Sequence, residues 1–498
     1  MARIETAMVV ALALFATALP VGAHLAGHLF GLGLCLMLAV LVANFAAPAI
    51  PTVLVAAYLF QNLFVSLITP WVADLADFDS ARAYNFLLTV TVWFVVMAHY
   101  VQSRASFDPA VRRLVNIASG VLLLVLAYFA LGAVSAPKQA AVYLRNIATP
   151  FLLLQLCIVV AARFGRGVAR PLAALGWLLL LYGHVELFLR EGLFDLINAN
   201  DYLEMRLRQV NDTGQWVKLM QETGLVTRDV HDTQKITLLN TPLLGTSIEL
   251  YRLLGPNFHA ISYAYGLAFF CLAFLAGGRI MYMLFALPLL VVVGSKGALI
   301  LVLLTTLFVT VSRIAPVNAL LWIFAAVLAA YAAATFVIGK KVGDYHVIGL
   351  LGGIDGFLHN PAGRGLGAGG NLSINMATID WSRSQALGKT DTALESAIGV
   401  LLYQMGIAAL AVCAANVCIA LAAWRQFLAT RRSEFAVVAF ALLAVTTNGL
   451  FQEEALFAPL AVGTLMMLAG LVLGATSVAD RHPSPVVART AKPVGVRP

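Results

Sequence analysis

Arg364 sits inside the run His359-Asn360-Pro361-Ala362-Gly363-Arg364-Gly365-Leu366-Gly367-Ala368-Gly369-Gly370-Asn371, and Glu395 closes the same polar stretch just before apolar residues resume. Glycines disfavour a helix there, each costing roughly 1 kcal/mol relative to alanine. They also let backbone amides approach an anion closely. With the guanidinium of Arg364 among them, Gly365, Gly367 and Gly369 make a donor set suited to a phosphate or diphosphate. Lys296, in Val293-Gly294-Ser295-Lys296-Gly297-Ala298 between two apolar spans, offers a second cation for the same ligand. Glu395 stands one turn before a predicted helix. Partial desolvation at a membrane boundary raises a carboxylate pKa and suits it to take a proton from a hydroxyl.

Plainer readings stand beside these. Lys296 can snorkel at an interface, Arg364 can be a solvated loop arginine, and Glu395 can simply complement a helix dipole. The glycine run matches GxGxxG only superficially, because a dinucleotide site needs a βαβ unit. The Lys296 turn lacks the glycine spacing and following Ser or Thr of a Walker A loop. His359 is close in sequence to Arg364, and Arg145, Arg190, Arg252, His259 and the turn Gln452-Glu453-Glu454 fall at the same membrane face. Of these, Arg145, Arg252 and Glu453 join His359 as additional candidates. His24 and His28 have i, i+4 spacing but no carboxylate nearby in the turn that they flank, and the five cysteines form no CxxC pair. Neither set reads as a metal site, and no metal or cofactor is expected.

The elements that hold these residues are apolar. The chain of 498 residues is 61% hydrophobic and 11% charged, with mean hydropathy +0.89, whereas soluble domains carry about 25% charged residues. This composition indicates an all-α polytopic membrane protein. Runs long enough to cross a bilayer fall near residues 6–22, 27–43, 50–69, 85–101, 114–134, 146–163, 172–189, 259–276, 280–294, 297–312, 318–338, 397–422, 435–450 and 455–474. The expectation is about 14 (12–14) transmembrane helices. The formal charge of +8 is dispersed over short connections and points to topology, not nucleic acid. Arg104, Arg112, Arg113, Arg163, Arg166, Arg170, Arg279, Arg313, Arg425, Arg431 and Arg432 all fall on alternate connections. The positive-inside rule then places both termini in the cytoplasm and two long loops on the opposite, periplasmic side.

Six segments follow: N-terminal membrane helices (1–189), a periplasmic loop (190–258), further membrane helices (259–338), the glycine-rich loop (339–396), C-terminal membrane helices (397–476) and a disordered cytoplasmic tail (477–498). In the first loop, Leu203, Leu207 and Val210, then Trp216, Leu219 and Met220, have helical spacing, which predicts short amphipathic helices.

Taken in order, Gly294-Ser295-Lys296-Gly297-Ala298 at a span junction, Asn360-Pro361-Ala362-Gly363-Arg364-Gly365-Leu366-Gly367 in a large outward loop, and Glu395-Ser396 before Gly406-Ile407 resemble the O-antigen ligase and polymerase superfamily. The similarity covers roughly residues 260–456. It implies a multi-pass glycosyltransferase of the bacterial inner membrane that takes glycan from undecaprenyl diphosphate at the periplasmic face. Glu395-Ser396 stands where ligases of the superfamily typically carry His-Asn, which resembles a polysaccharide polymerase more than a ligase. The resemblance implies the undecaprenyl-diphosphate-linked oligosaccharide and the lipid bilayer as partners, with a chain-length regulator and a flippase alongside. In this scheme Arg364, Lys296 and the glycine amides hold the diphosphate and Glu395 activates an acceptor hydroxyl. Two other readings are a ligase joining glycan to lipid A core and a lipid-linked oligosaccharide flippase.

Overall fold

A long apolar run has to satisfy its backbone hydrogen bonds internally, and this chain does so with helices. The structure, a computed structural model, describes residues 2–212, 234–237, 249–314, 316–373 and 379–476. In chain order the helices are α1 (Ala2–His24), α2 (His28–Phe45), α3 (Ile50–Ile68), α4 (Leu75–Arg82), α5 (Tyr84–Gln102), α6 (Pro109–Ala133), α7 (Pro137–Phe164), α8 (Leu172–Leu196), α9 (Ala199–Asp212), α10 (Ala260–Ala276), α11 (Met281–Val293), α12 (Lys296–Val311), α13 (Leu320–Val342), α14 (Tyr345–His359), α15 (Trp381–Leu387), α16 (Ala397–Met405), α17 (Ala409–Thr430), α18 (Ser433–Asn448), α19 (Glu453–Phe457) and α20 (Thr464–Gly474). The chain is an all-α, multi-pass membrane protein. Among the described residues nine helices are long and apolar enough to cross a bilayer, and five further apolar helices are shorter.

The core lies where α7 passes through the bundle: Leu153, Leu154, Leu156, Cys157 and Ile158 are completely buried. α20 runs along it so closely that a Cβ on Gly470 would meet the carbonyl of Leu154. α13 is the opposite case, with only 11% of its most apolar stretch buried, and Trp322, Ile323, Val337 and Ile338 project outward.

Three features differ from the sequence-based expectation. α8 continues past residue 189 to Leu196, bending at Leu189 where φ is −132°. The first loop carries a small antiparallel sheet, β1 (Lys235–Thr237) with β2 (Glu249–Tyr251), Ile236 facing Leu250; strands of three residues leave no periodicity to read. The expected amphipathic helix over Leu203 exists as α9, with Tyr202, Leu203 and Met205 buried, while Trp216, Leu219 and Met220 lie outside the described residues, as does the tail 477–498. The stretch 339–396 is not one continuous loop. It holds α14 and α15, and α14 forms although it contains Gly349, Gly352, Gly353 and Gly356.

Candidate active site

The glycines of α14 are a packing face. A Cβ on Gly353 would lie 2.5–2.6 Å from the backbone of Gly399, one on Gly349 would collide with Leu394, and one on Gly356 with the Tyr403 ring. The contacts advance together along both helices, so α14 and α16 run parallel with their backbones nearly touching, as small-xxx-small faces allow. The N-terminal ends of both helices carry acid–base groups. Glu395, just before α16, places its Oε2 3.5 Å from His346 Nδ1, and its side chain is 26% exposed. The same imidazole nitrogen lies 3.3 Å from the Glu395 carbonyl. Glu395 itself has φ +55°, a conformation that a non-glycine residue adopts at a cost of about 1–3 kcal/mol.

The glycine run lies as a strap antiparallel to α16. The amides of Arg364 and Gly365 donate to the Gln404 carbonyl at 2.9 Å, that of Leu366 to Tyr128, and that of Gly370 to Ala393. On its other side the strap meets the α6–α7 turn. A Cβ on Gly365 would stand 2.5 Å from the amide of Gly132, one on Gly367 2.7 Å from that of Ala140, and one on Gly370 would strike the Tyr143 hydroxyl. Positive φ at Gly365 and Gly370 supports the same conclusion: the glycines here admit neighbouring protein backbone. The amide of Gly365 is thus engaged by protein, and Gly369 offers its carbonyl to Gln404 Nε2 at 2.6 Å.

At the end of the strap Asn371 ties two acids together. Its Oδ1 accepts the amide of Glu395 at 3.1 Å, and its own amide donates to Glu453 Oε2 at 3.0 Å. Tyr143 donates its hydroxyl proton to Glu453 Oε1 at 2.7 Å. Burial of the Glu453 carboxyl pushes its pKa up to about 8, with Glu454 and Glu395 adding repulsion and the Asn371 and Tyr143 donors opposing it. At neutral pH Glu453 is therefore largely protonated. Burial also raises Glu454, which feels repulsion from Glu395 and attraction from His346 and Arg252.

Arg252 connects this acidic group to a basic one. Its Nε donates to the Val293 carbonyl at 2.9 Å, beside the Lys296 turn, and its charge lies within reach of Glu454. Burial depresses the pKa of His259, and the charges of Arg206, Arg252 and Arg82 push it further the same way. Arg82 and Asp79 also neighbour both Arg145 and Arg206. Arg82 pairs with Asp79 at 3.2 Å, whose charge thus also reaches Arg145 and Arg206. Four guanidiniums against the two acids that reach them, Asp79 and Glu454, leave a net positive group suited to a multiply charged anion.

Helix length sets the depth of this group. α10, α11, α12, α18 and the apolar run Pro459–Gly474 have 17, 13, 16, 16 and 16 residues, or about 20–25 Å at 1.5 Å per residue. A hydrocarbon core is about 30 Å thick. His259, Lys296, Asn448 and Glu453 lie at or just beyond the ends of these short helices, whose shortness beside neighbours such as α7 leaves room for a recess at this end. Here Asn448 Nδ2 donates to the Gly297 carbonyl at 2.9 Å, and Tyr265 donates to Gln452 Oε1 at 2.8 Å. Lys296 itself is exposed.

The structure therefore brings together Glu395, Glu453, Arg252 and the Lys296 turn, with Arg145 in the adjoining basic cluster. Arg364 and His359 stand elsewhere. Arg364 stacks on Tyr403, its Cζ 4.1 Å from the ring centre, and donates to the Gly356 carbonyl at 2.9 Å. Eight residues of α16 separate Tyr403 from Glu395, about 12 Å of helical rise. His359, 74% exposed, leans on Asp355, which also pairs with Lys389. Sequence reading missed Tyr143, His346, Arg206 and Arg82 as site residues, because the partners that mark them lie in other segments. Among the described residues no three His, Cys, Asp or Glu side chains group in a way that could hold a metal ion. Neither a protein-family model nor a curated protein matches the chain.

Proposed function

We propose that this chain is a membrane glycosyltransferase that polymerises glycan repeat units, taking them from undecaprenyl diphosphate at the periplasmic face of the bacterial inner membrane and crossing that membrane fourteen times. The observation that carries the reading is the presence, at one end of the bundle, of an acid–base group, Glu395 with His346, linked through Glu454 and Arg252 to an arginine cluster, Arg82, Arg145, Arg206 and Arg252. Glycosyl transfer from a diphosphate needs both: a base for the attacking hydroxyl and cations where negative charge grows on the leaving group. The motif resemblance across residues 260–456 points the same way.

In this scheme the diphosphate binds among the four arginines, with Lys296 at the rim. Glu395 takes the proton of an acceptor sugar hydroxyl as its oxygen attacks the anomeric carbon. The bond from that carbon to the diphosphate oxygen breaks, and undecaprenyl diphosphate leaves with the electron pair. Glu453, neutral at pH 7 and bound by Tyr143 and Asn371, holds the strap and Glu395 in register. Arg364 has a positioning role at the far end of the strap. A crevice of about 620 Å³ between the bent end of α8 and β2, lined by Leu187, Phe188, Leu253 and Val292, adjoins Arg252 and gives the polyprenyl chain an apolar path.

The test is purified protein in liposomes with undecaprenyl-diphosphate-linked repeat units, products sized on a gel. Wild type should give a ladder and Glu395→Gln none. No ladder, with labelled lipid crossing the bilayer, would replace the reading with a flippase. Transfer only to lipid A core would make it a ligase.

A further inference from the structure

A crevice of about 880 Å³ opens at the opposite end of the bundle. Its rim carries Arg166 and Arg170 from the link between α7 and α8 and Arg279 from the turn between α10 and α11, against a single acid, Glu434. Glu434 is taken by Arg166 at 2.9 Å and by Arg432. Arg170 and Arg279 have no side-chain partner among the described residues. Below the rim the walls are apolar: Phe270 and Phe274 of α10 face Leu468, Leu471 and Val472 of α20. The space falls within the roughly 300–1,000 Å³ typical of small-molecule sites.

Cations at the mouth and an apolar slot beneath describe one kind of occupant. A soluble anion would leave the apolar walls wet. A zwitterionic lipid would bring its own cation to two unpaired guanidiniums. The chain's own C-terminal segment is also a poor match, because after Asp480 its charges are Arg481, Arg489, Lys492 and Arg497, which the rim repels. We propose that this crevice binds one anionic phospholipid, with its phosphate between Arg170 and Arg279 and an acyl chain between α10 and α20. Guanidinium suits the phosphate because it presents paired donors in a fixed plane, and basic pockets between membrane helices recognise acidic head groups by this means. The bound lipid seals the seam where the α7–α8 link, α10, α18 and α20 meet, away from the end that holds Glu395.

The experiment is native mass spectrometry of the full chain extracted from vesicles of equal phosphatidylglycerol and phosphatidylcholine. Wild type should retain one phosphatidylglycerol per chain, enriched over phosphatidylcholine by about fivefold for each unpaired arginine. Arg170→Gln with Arg279→Gln should bring the ratio close to one, and each single variant should lower it partway. Glycerol 3-phosphate, the soluble head-group fragment, should not displace the lipid. Equal retention of the two lipids by wild type would overturn the proposal, as would unchanged enrichment in the variants. Displacement by glycerol 3-phosphate would make it a free-anion site instead. The single variants give the answer should the double variant not fold, and deletion of 477–498 should leave the ratio unchanged; enrichment that arises only on deletion would mean that the tail fills the crevice.

Discussion

At the scale of the residue, Glu395 is held in a left-handed backbone conformation by two side chains, the Asn371 amide oxygen on its N–H and the His346 imidazole on its carbonyl. Local strain of this kind is retained where something outweighs it. Replacing Glu395 with glycine removes both the carboxylate and the strain. Polymer formation should then fall by the 10²–10⁴-fold attributable to a general base, while the melting temperature stays equal to or above wild type; a large loss of stability would make Glu395 a structural residue. Glu453 yields a different signature. Its pKa is about 8 in the folded chain against about 4.3 for a free glutamate, so the folded state binds the extra proton. Stability from this group is fully present below about pH 4 and is lost as pH rises through 8. Glu453→Gln is neutral at every pH and keeps an oxygen that can accept from Tyr143 or from the Asn371 amide. Melting curves from pH 5 to 8 should slope downward for wild type and flatten for the variant, and an unchanged slope would remove Glu453 as its source.

At the scale of the element, the glycines of α14 show why part of the site escaped the sequence. Read locally, glycine is a helix breaker, and residues 339–396 look like one loop. Packing reverses that, because only a face without side chains lets α14 approach α16 backbone to backbone. The strap glycines were legible as irregular backbone, but their partners, Gly132 and Ala140, are more than 200 residues away. A still longer separation, 310 residues, hides the link from Tyr143 to Glu453, and even the 24 residues from Asn371 to Glu395 exceed any local periodicity. Hydropathy is local, and so the place of the apolar helices could be read from it, but not all of their bounds: the run 397–422 is two helices, α16 and α17, broken at Gly406, and α7 begins nine residues before the run assigned to it. Gly353→Ala should force α14 from α16, at a cost of about 1–3 kcal/mol for overpacking, and reduce activity by displacing Glu395. Gly120, in α6 with nothing within 4 Å of its would-be Cβ, is the control. Gly120→Ala should stabilise by up to about 1 kcal/mol. Equal melting temperatures for the two variants would contradict the packing argument.

At the scale of the whole molecule, polar chemistry gathers at both ends of the bundle with opposite sign of purpose: an acid–base group at one, a basic rim at the other. Their sidedness depends on which helices cross. Arg313 and His359 are both exposed, and of the apolar membrane helices only α13 separates them. Its 23 residues have mean hydropathy 2.2 and span about 35 Å, enough for a hydrocarbon core of about 30 Å. Single cysteines at 313 and 359, in a background without Cys35, Cys157, Cys271, Cys413 and Cys418, should therefore react with an impermeant maleimide from opposite sides of a sealed vesicle. Lys296→Cys adds depth to the same measurement. It shares the face of His359 but caps helices of about 20–24 Å, so its label should come from the His359 side and more slowly than at 359. Labelling of 313 and 359 from one side would fold α13 back along the membrane, reversing every assignment upstream of it. Equal rates at 296 and 359 would instead bring the Lys296 turn up to the surface, and with it the recess that the short helices imply.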